Sequence, residues 1–252
     1  MQDQPEGPWG RAEDAPTGVA ASAASIASHL RFHDLFLVLV APAGLMMLVR
    51  MLFGRPALTV ETVLAVLVLQ SALALAAVYF IVVRGRGISW REIGFAPVPF
   101  YWLRRGVLIA ILTLPLVAVV NIVTQILAGG PFHNPQLDVL APGGFSWRGL
   151  VGMLVMAGIV APIVEETAFR GLLYGWLRAR IGIAGAIALS ALIFSFVHGV
   201  LMLAPALALQ GAVLAYVYER SGSLWPSVVL HGTFNMIMTV ALYAALAAGV
   251  EM

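Results

Sequence analysis

Long apolar runs separated by short polar connectors dominate the chain. A helix needs about 20 mostly apolar residues to cross ~30 Å of hydrocarbon. Residues 35–53, 60–83, 107–127, 150–164 (continuing as helix towards Arg178), 184–198, 205–218 and 228–248 meet or approach that length. The pattern predicts an all-α fold: a polytopic transmembrane helical bundle of seven membrane helices, or eight if residues 20–30 also insert. That stretch is rich in Ala and Ser and otherwise reads as a short interfacial helix or as irregular chain. Residues 1–16 are polar and slightly acidic, without the basic start and apolar core of a secretory signal, and read as a retained, disordered tail. The expected organisation is a disordered or interfacial tail over residues 1–30 and a single transmembrane domain over 31–252. No period of about 20 to 50 residues recurs that would indicate a repeat architecture.

Composition sharpens this picture. Of 252 residues, 61% are hydrophobic and only 10% are charged, with a mean hydropathy of +0.96. A soluble domain carries about 25% charged residues, so the chain belongs in a bilayer. The net charge of +2 comes from 14 basic against 12 acidic residues, every basic one an arginine. So small an excess gives no sign of a nucleic-acid partner; its placement says more. Arg84, Arg86, Arg91, Arg104 and Arg105 face a single acid, Glu92, between the second and third runs, which predicts a cytoplasmic connector. Arg178, Arg180 and Arg220 then fall on the same side and residues 132–145 outside, while Arg50 and Arg55 run against the count. Trp90, Trp102, Trp147, Trp176 and Trp225 lie near the run ends, as an interfacial aromatic belt would place them. The absence of cysteine excludes disulfides, thiolate ligands and a thiol nucleophile. An arginine-only, alanine-rich chain suits a GC-rich bacterial genome, and hence a bacterial cytoplasmic membrane.

Against this background a few polar residues stand out. Glu165, Glu166 and Arg170 lie within six residues of one another in an apolar run, where each charge costs about 2.5 to 3.5 kcal/mol on insertion scales unless partnered. On a helix Glu166 and Arg170 stack as an i, i+4 ion pair. Glu165, rotated by roughly 100°, remains an available carboxylate. Phe194 and His198 lie four apart in the next run, and His231 and Asn235 four apart in the last. At about 1.5 Å per residue, Glu165 and His198 reach nearly the same depth from their respective helix ends, with His231 also inside the hydrocarbon.

Such a cluster suits hydrolysis. Glu165 with His198 could activate a water. His231 with Asn235 could donate to an oxyanion, and Glu166 with Arg170 would orient Glu165. No cofactor is required by the pattern. A divalent metal such as zinc on Glu165, His198 and His231 is the chemical alternative, although no HExxH pair is present. The GxSG and GxGD signatures of other intramembrane proteases are absent as well.

These motifs in this order, Glu-Glu-x-x-x-Arg, Phe-x-x-x-His and His-x-x-x-Asn, resemble those of the CPBP intramembrane proteases, across residues 148–248 or so. That family includes eukaryotic CaaX prenyl endopeptidases and bacterial Abi proteins tied to bacteriocin processing or self-immunity. The resemblance implies a helical intramembrane endopeptidase acting on a membrane-embedded or lipid-modified protein. It also implies that the first Glu and first His activate water, while the second His and Asn hold the oxyanion. Two other readings use the same residues differently: a non-proteolytic membrane scaffold or immunity-type binding protein, and a proton-coupled transporter with a Glu/His relay. The transporter predicts paired broken helices, which the two halves of the sequence do not show. Oligomeric state has no signature in the sequence.

Overall fold

The computed structural model describes residues 17–54, 58–130, 132 and 134–250, and every regular element among them is helical. In order they are α1 (Thr17–His29), α2 (Phe32–Phe53), α3 (Val60–Ala77) running on as π-helical turns Val78–Arg84, α4 (Trp90–Ile93), α5 (Phe100–Leu127) and α6 (Pro135–Leu140). Next come α7 (Trp147–Val155), π-helical turns Met156–Val160, α8 (Ala161–Glu166), a second π-helical segment Thr167–Tyr174, and α9 (Gly175–Val197). A 3₁₀ turn Leu201–Leu203, α10 (Ala204–Ser221) and α11 (Leu224–Ala247) complete the chain. Side chains start several of these helices: Thr59, Ser89, Asn134, Ser146 and Ser223 each accept from a first-turn N–H, satisfying a donor that has no partner within the helix.

All seven apolar runs are helical. Five continuous stretches are long and apolar enough to cross a membrane, and the pair 18–29 plus 32–42, bent by 94°, makes six. The 51-residue stretch Trp147–Val197 holds two of the seven runs, because Gly182 at φ 72° and ψ −179° breaks it into two limbs. Only glycine takes that backbone without strain. The molecule is an integral membrane protein. Its most enclosed span is α10, with 39% of its apolar window buried, whereas α3 has 11% and presents most of its surface to lipid.

Residues 17–29, expected as tail or interfacial segment, form a packed helix, while residues 1–16 lie outside the described part of the chain. Val19, Ala23, Ile26 and Leu30 recur at helical spacing and are all buried. They pack against the start of α9, where a Cβ on Gly175 would stand 3.1 Å from Ile26 Cδ1. Trp176 Nε1 donates to Leu30 O (3.1 Å) and Ser25 Oγ to Glu92 (2.7 Å). Arg86 holds Asp34 through two bonds of 2.8 and 2.9 Å.

The connector carrying Arg84 to Arg105 is tied to the α10–α11 turn, since Leu224 N donates to Gly94 O (2.9 Å) and Ser223 Oγ to Ala96 O (2.7 Å). At this end Arg178 chelates the buried Glu219 of α10 (2.7 and 2.8 Å), joined by Tyr174 (2.8 Å). The arginines counted onto one side therefore gather at one end of the bundle. At the other end α6 is fastened by Tyr243 Oη to Leu140 O (3.0 Å) and reaches the carbonyl of His198 through Gln136 Nε2 (3.5 Å).

Candidate active site

The site begins with a defect in helix geometry. In the π-helical turns Met156–Val160 a carbonyl looks five residues ahead for its donor. For Ala157 that residue is Pro162, which has no N–H. Asn235 Nδ2 supplies the donor, at 2.8 Å from Ala157 O. Two glycines let α11 come this close: a Cβ on Gly232 would collide with the Gly158 carbonyl, and one on Gly158 would stand 2.5 Å from Met236 Cγ. Backbone contact at Gly158 and Gly232 thus sets the position of both His231 and Asn235.

His231 is buried between the two glutamates. Its Nδ1 lies 2.8 Å from Glu166 Oε1 and its Nε2 3.9 Å from Glu165 Oε2. A carboxylate only accepts, so Nδ1 is the donor to Glu166, while Nε2 is turned towards Glu165. Glu166 Oε1 also accepts from Arg170 Nη1 (3.0 Å). Both residues of that ion pair are fully buried, at 0% and 1% exposure. Arg170 is further fixed by Nη2 donating to Gly211 O of α10 (3.1 Å) and by the Phe194 ring 4.4 Å beneath its guanidinium carbon. Glu165 differs in being half-buried, and its inner oxygen, Oε2, has no hydrogen-bond partner.

Phe194 is the residue of α9 that reaches this cluster, its ring 6.0 Å from that of His231, and the His198 ring packs edge-on against it at 4.7 Å. The His198 Nδ1 donates to Phe194 O at 2.7 Å, which leaves Nε2 as the basic nitrogen. His198 forms no ion pair with Glu165, whereas His231 approaches it. The equal depth expected for Glu165 and His198 came from counting a uniform α-helical rise. The π-helical segment Thr167–Tyr174 and the break at Gly182 interrupt that uniform rise.

Residues 147–237, from the first turn of α7 to just beyond Asn235, match the family model described as Rce1-like, type II CAAX prenyl endopeptidase. "Putative membrane peptidase YdiL" of Bacillus subtilis (strain 168) is 28% identical over 88 residues, which is 35% of this chain and 36% of YdiL. Residues 147–237 are thus similar in sequence to CAAX-type membrane peptidases. The matched part spans about a third of the length of that curated relative. No solved structure matches the chain.

All seven residues singled out from the sequence lie within the matched segment, and five of them, Glu165, Glu166, Arg170, His231 and Phe194, form one contiguous cluster. Asn235 adjoins it one turn above His231, and His198 adjoins it through Phe194. Among the described residues no three His, Asp or Glu side chains are arranged to hold an ion. The backbone acceptors Gly211 O and Ala157 O were not foreseen. The only advance signal for the second was the proline five residues after Ala157.

Proposed function

We propose that this chain is an intramembrane endopeptidase that hydrolyses a peptide bond of a membrane-embedded or lipid-modified protein in a bacterial cytoplasmic membrane. The observation that carries this reading is the unpartnered Glu165 Oε2 facing His231 Nε2 at 3.9 Å, the mechanism taking His231 as the Nδ1–H tautomer. Two acceptors at that separation suit a single water that donates one hydrogen to each at an ordinary bond length of ~2.8 Å. Such a water has its oxygen lone pair turned outward, towards a substrate carbonyl.

On attack, the water's proton passes to Glu165, and the new C–O bond leaves negative charge on the former carbonyl oxygen. Glu165 then returns the proton to the departing amine as the C–N bond breaks. Glu166 acts through His231: it keeps the imidazole in one tautomer and orientation and strengthens Nε2 as the acceptor that holds the water, as a carboxylate orients the histidine of a hydrolytic triad. The second N–H of Asn235, not used by Ala157 O, is a donor for the oxyanion. His198, whose Nδ1 is held by Phe194 O, has Nε2 left to contact either the water or the leaving group. This assignment gives His231 the place beside the water that the family resemblance assigned to His198. No step passes through a metal.

Lipid-modified substrates are supported by the family description, which names a CAAX prenyl endopeptidase. The test is cleavage of quenched-fluorescent membrane peptides and of a farnesylated CAAX peptide by detergent-purified protein, beside Glu165→Gln and His231→Ala. Cleavage abolished in both variants and insensitive to 1,10-phenanthroline is the expected result. Cleavage that survives Glu165→Gln would refute the mechanism, and retained cellular function in that variant would favour a scaffold.

A further inference from the structure

Six buried side-chain polar atoms among the described residues lack a hydrogen-bond partner, and they are not scattered. Glu165 Oε2, Glu166 Oε2 and Arg170 Nε belong to the cluster already described, and Asn121 Oδ1 lies apart on α5. The remaining two are Nε2 and Oε1 of one residue, Gln210, which is 4% exposed. An unpaired buried amide is costly, and leucine or methionine would fill the same space without that cost.

Helix register places Gln210 beside the site. Gln210, Leu214 and Val217 fall on one stripe of α10 at i, i+4 and i+7. Leu214 and Val217 pack with Ala110 of α5 and Leu230 of α11, with Phe234 against them. Ser227 Oγ donates to Leu214 O at 3.0 Å. Helices α10 and α11 run antiparallel across the turn at Gly222, so one turn back from Leu214 and one turn on from Ser227 lie at the same level. Those positions are Gln210 and His231. The next residue, Gly211, accepts from Arg170, so Gln210 also adjoins the ion pair that holds Glu166.

We propose that Gln210 is a substrate-binding residue whose side-chain amide pairs with a backbone amide of the peptide next to the bond to be cleaved. A peptide unwound for hydrolysis inside a bilayer exposes an N–H and a C=O to a medium that cannot satisfy either. A primary amide offers the matching acceptor and donor from one side chain. Substrate and Gln210 therefore carry the same unmet hydrogen-bonding need, and binding satisfies both. This inference rests on the endopeptidase reading above.

The test compares wild type with Gln210→Met, which keeps length and removes polarity, and with Glu165→Gln, on the peptide panel described, recording kcat, KM and melting temperature in detergent. Gln210→Met should melt at or above wild type while kcat/KM falls about 10- to 100-fold, the worth of a buried hydrogen-bonding group left unmet. A clearly lowered melting temperature would show that the amide fastens helices to one another and would overturn the proposal. Cleavage within twofold of wild type, alongside a dead Glu165→Gln, would overturn the subsite and leave the endopeptidase standing. No cleavage of any panel member by wild type would remove both.

Discussion

Glu166 and His231 are joined through Oε1 and Nδ1 at 2.8 Å, across 65 residues of sequence and entirely within the protein interior. The same oxygen is held by Arg170, so the acid that looks from sequence like half of an ion pair is also the orienting partner of a histidine. Its neighbour Glu165 is left free to meet a water.

Glu166→Gln tests that double role. The amide can still accept one hydrogen bond but no longer selects the tautomer that turns a basic Nε2 to the water, so kcat should fall by about 10² or more, in line with other carboxylate-to-amide changes behind a histidine. A variant that folds and cleaves at the wild-type rate would show that His231 needs no carboxylate.

Arg170→Met removes the cation from a fully buried pair. Breaking such a pair from one side costs about 3 to 5 kcal/mol, because Glu166 is left charged without its partner. The double variant Glu166→Gln/Arg170→Met should recover much of the lost melting temperature. Thermal unfolding in detergent reads both, and a single variant as stable as wild type would contradict the assignment.

Gly232→Ala changes no polar group, yet its methyl would collide with the Gly158 carbonyl. Overpacking of this kind costs about 1 to 3 kcal/mol. Here it should also push α11 from the π-helical turns, separating Asn235 from Ala157 and His231 from the glutamates. Cleavage should fall at least as far as stability. An active, stable Gly232→Ala protein would mean that the helices part without consequence.

Outside the spans, Glu92 has its carboxyl pKa held down from 4.5 to about 2, first by the Ser89 hydroxyl and backbone N–H and then by Ser25. A depressed carboxyl pKa contributes stability that is fully present above the unfolded value and is lost as pH falls through the folded one. The Glu92 link between α1 and α4 should therefore persist at neutral pH and weaken between about 4.5 and 2. Protease cleavage near α1 should rise over that acid window in wild type, and Glu92→Gln should already show the elevated cleavage at pH 7. A pH-independent cleavage pattern in wild type would count against the link.

The sequence by itself determined the class of the fold, the helical limbs and the residue types of the site. Those follow from local properties: apolar run length against bilayer thickness, Arg clustering at one end, and i, i+4 spacing in Glu166/Arg170, Phe194/His198 and His231/Asn235. Tertiary structure alone decided which histidine meets which acid. That depended on features invisible to a uniform helical rise: π-helical turns before and after Glu165 and Glu166, the break at Gly182, and the Gly158–Gly232 crossing. It also made a helix of residues 17–29, because Val19, Ala23, Ile26 and Leu30 found the start of α9 to bury against. The physical reason is one of range. Hydrophobic burial and helix spacing are set by neighbours in sequence, whereas His231 against Glu166 and Arg170 against Gly211 depend on close packing between distant segments. There, a single extra residue in a turn redirects a side chain.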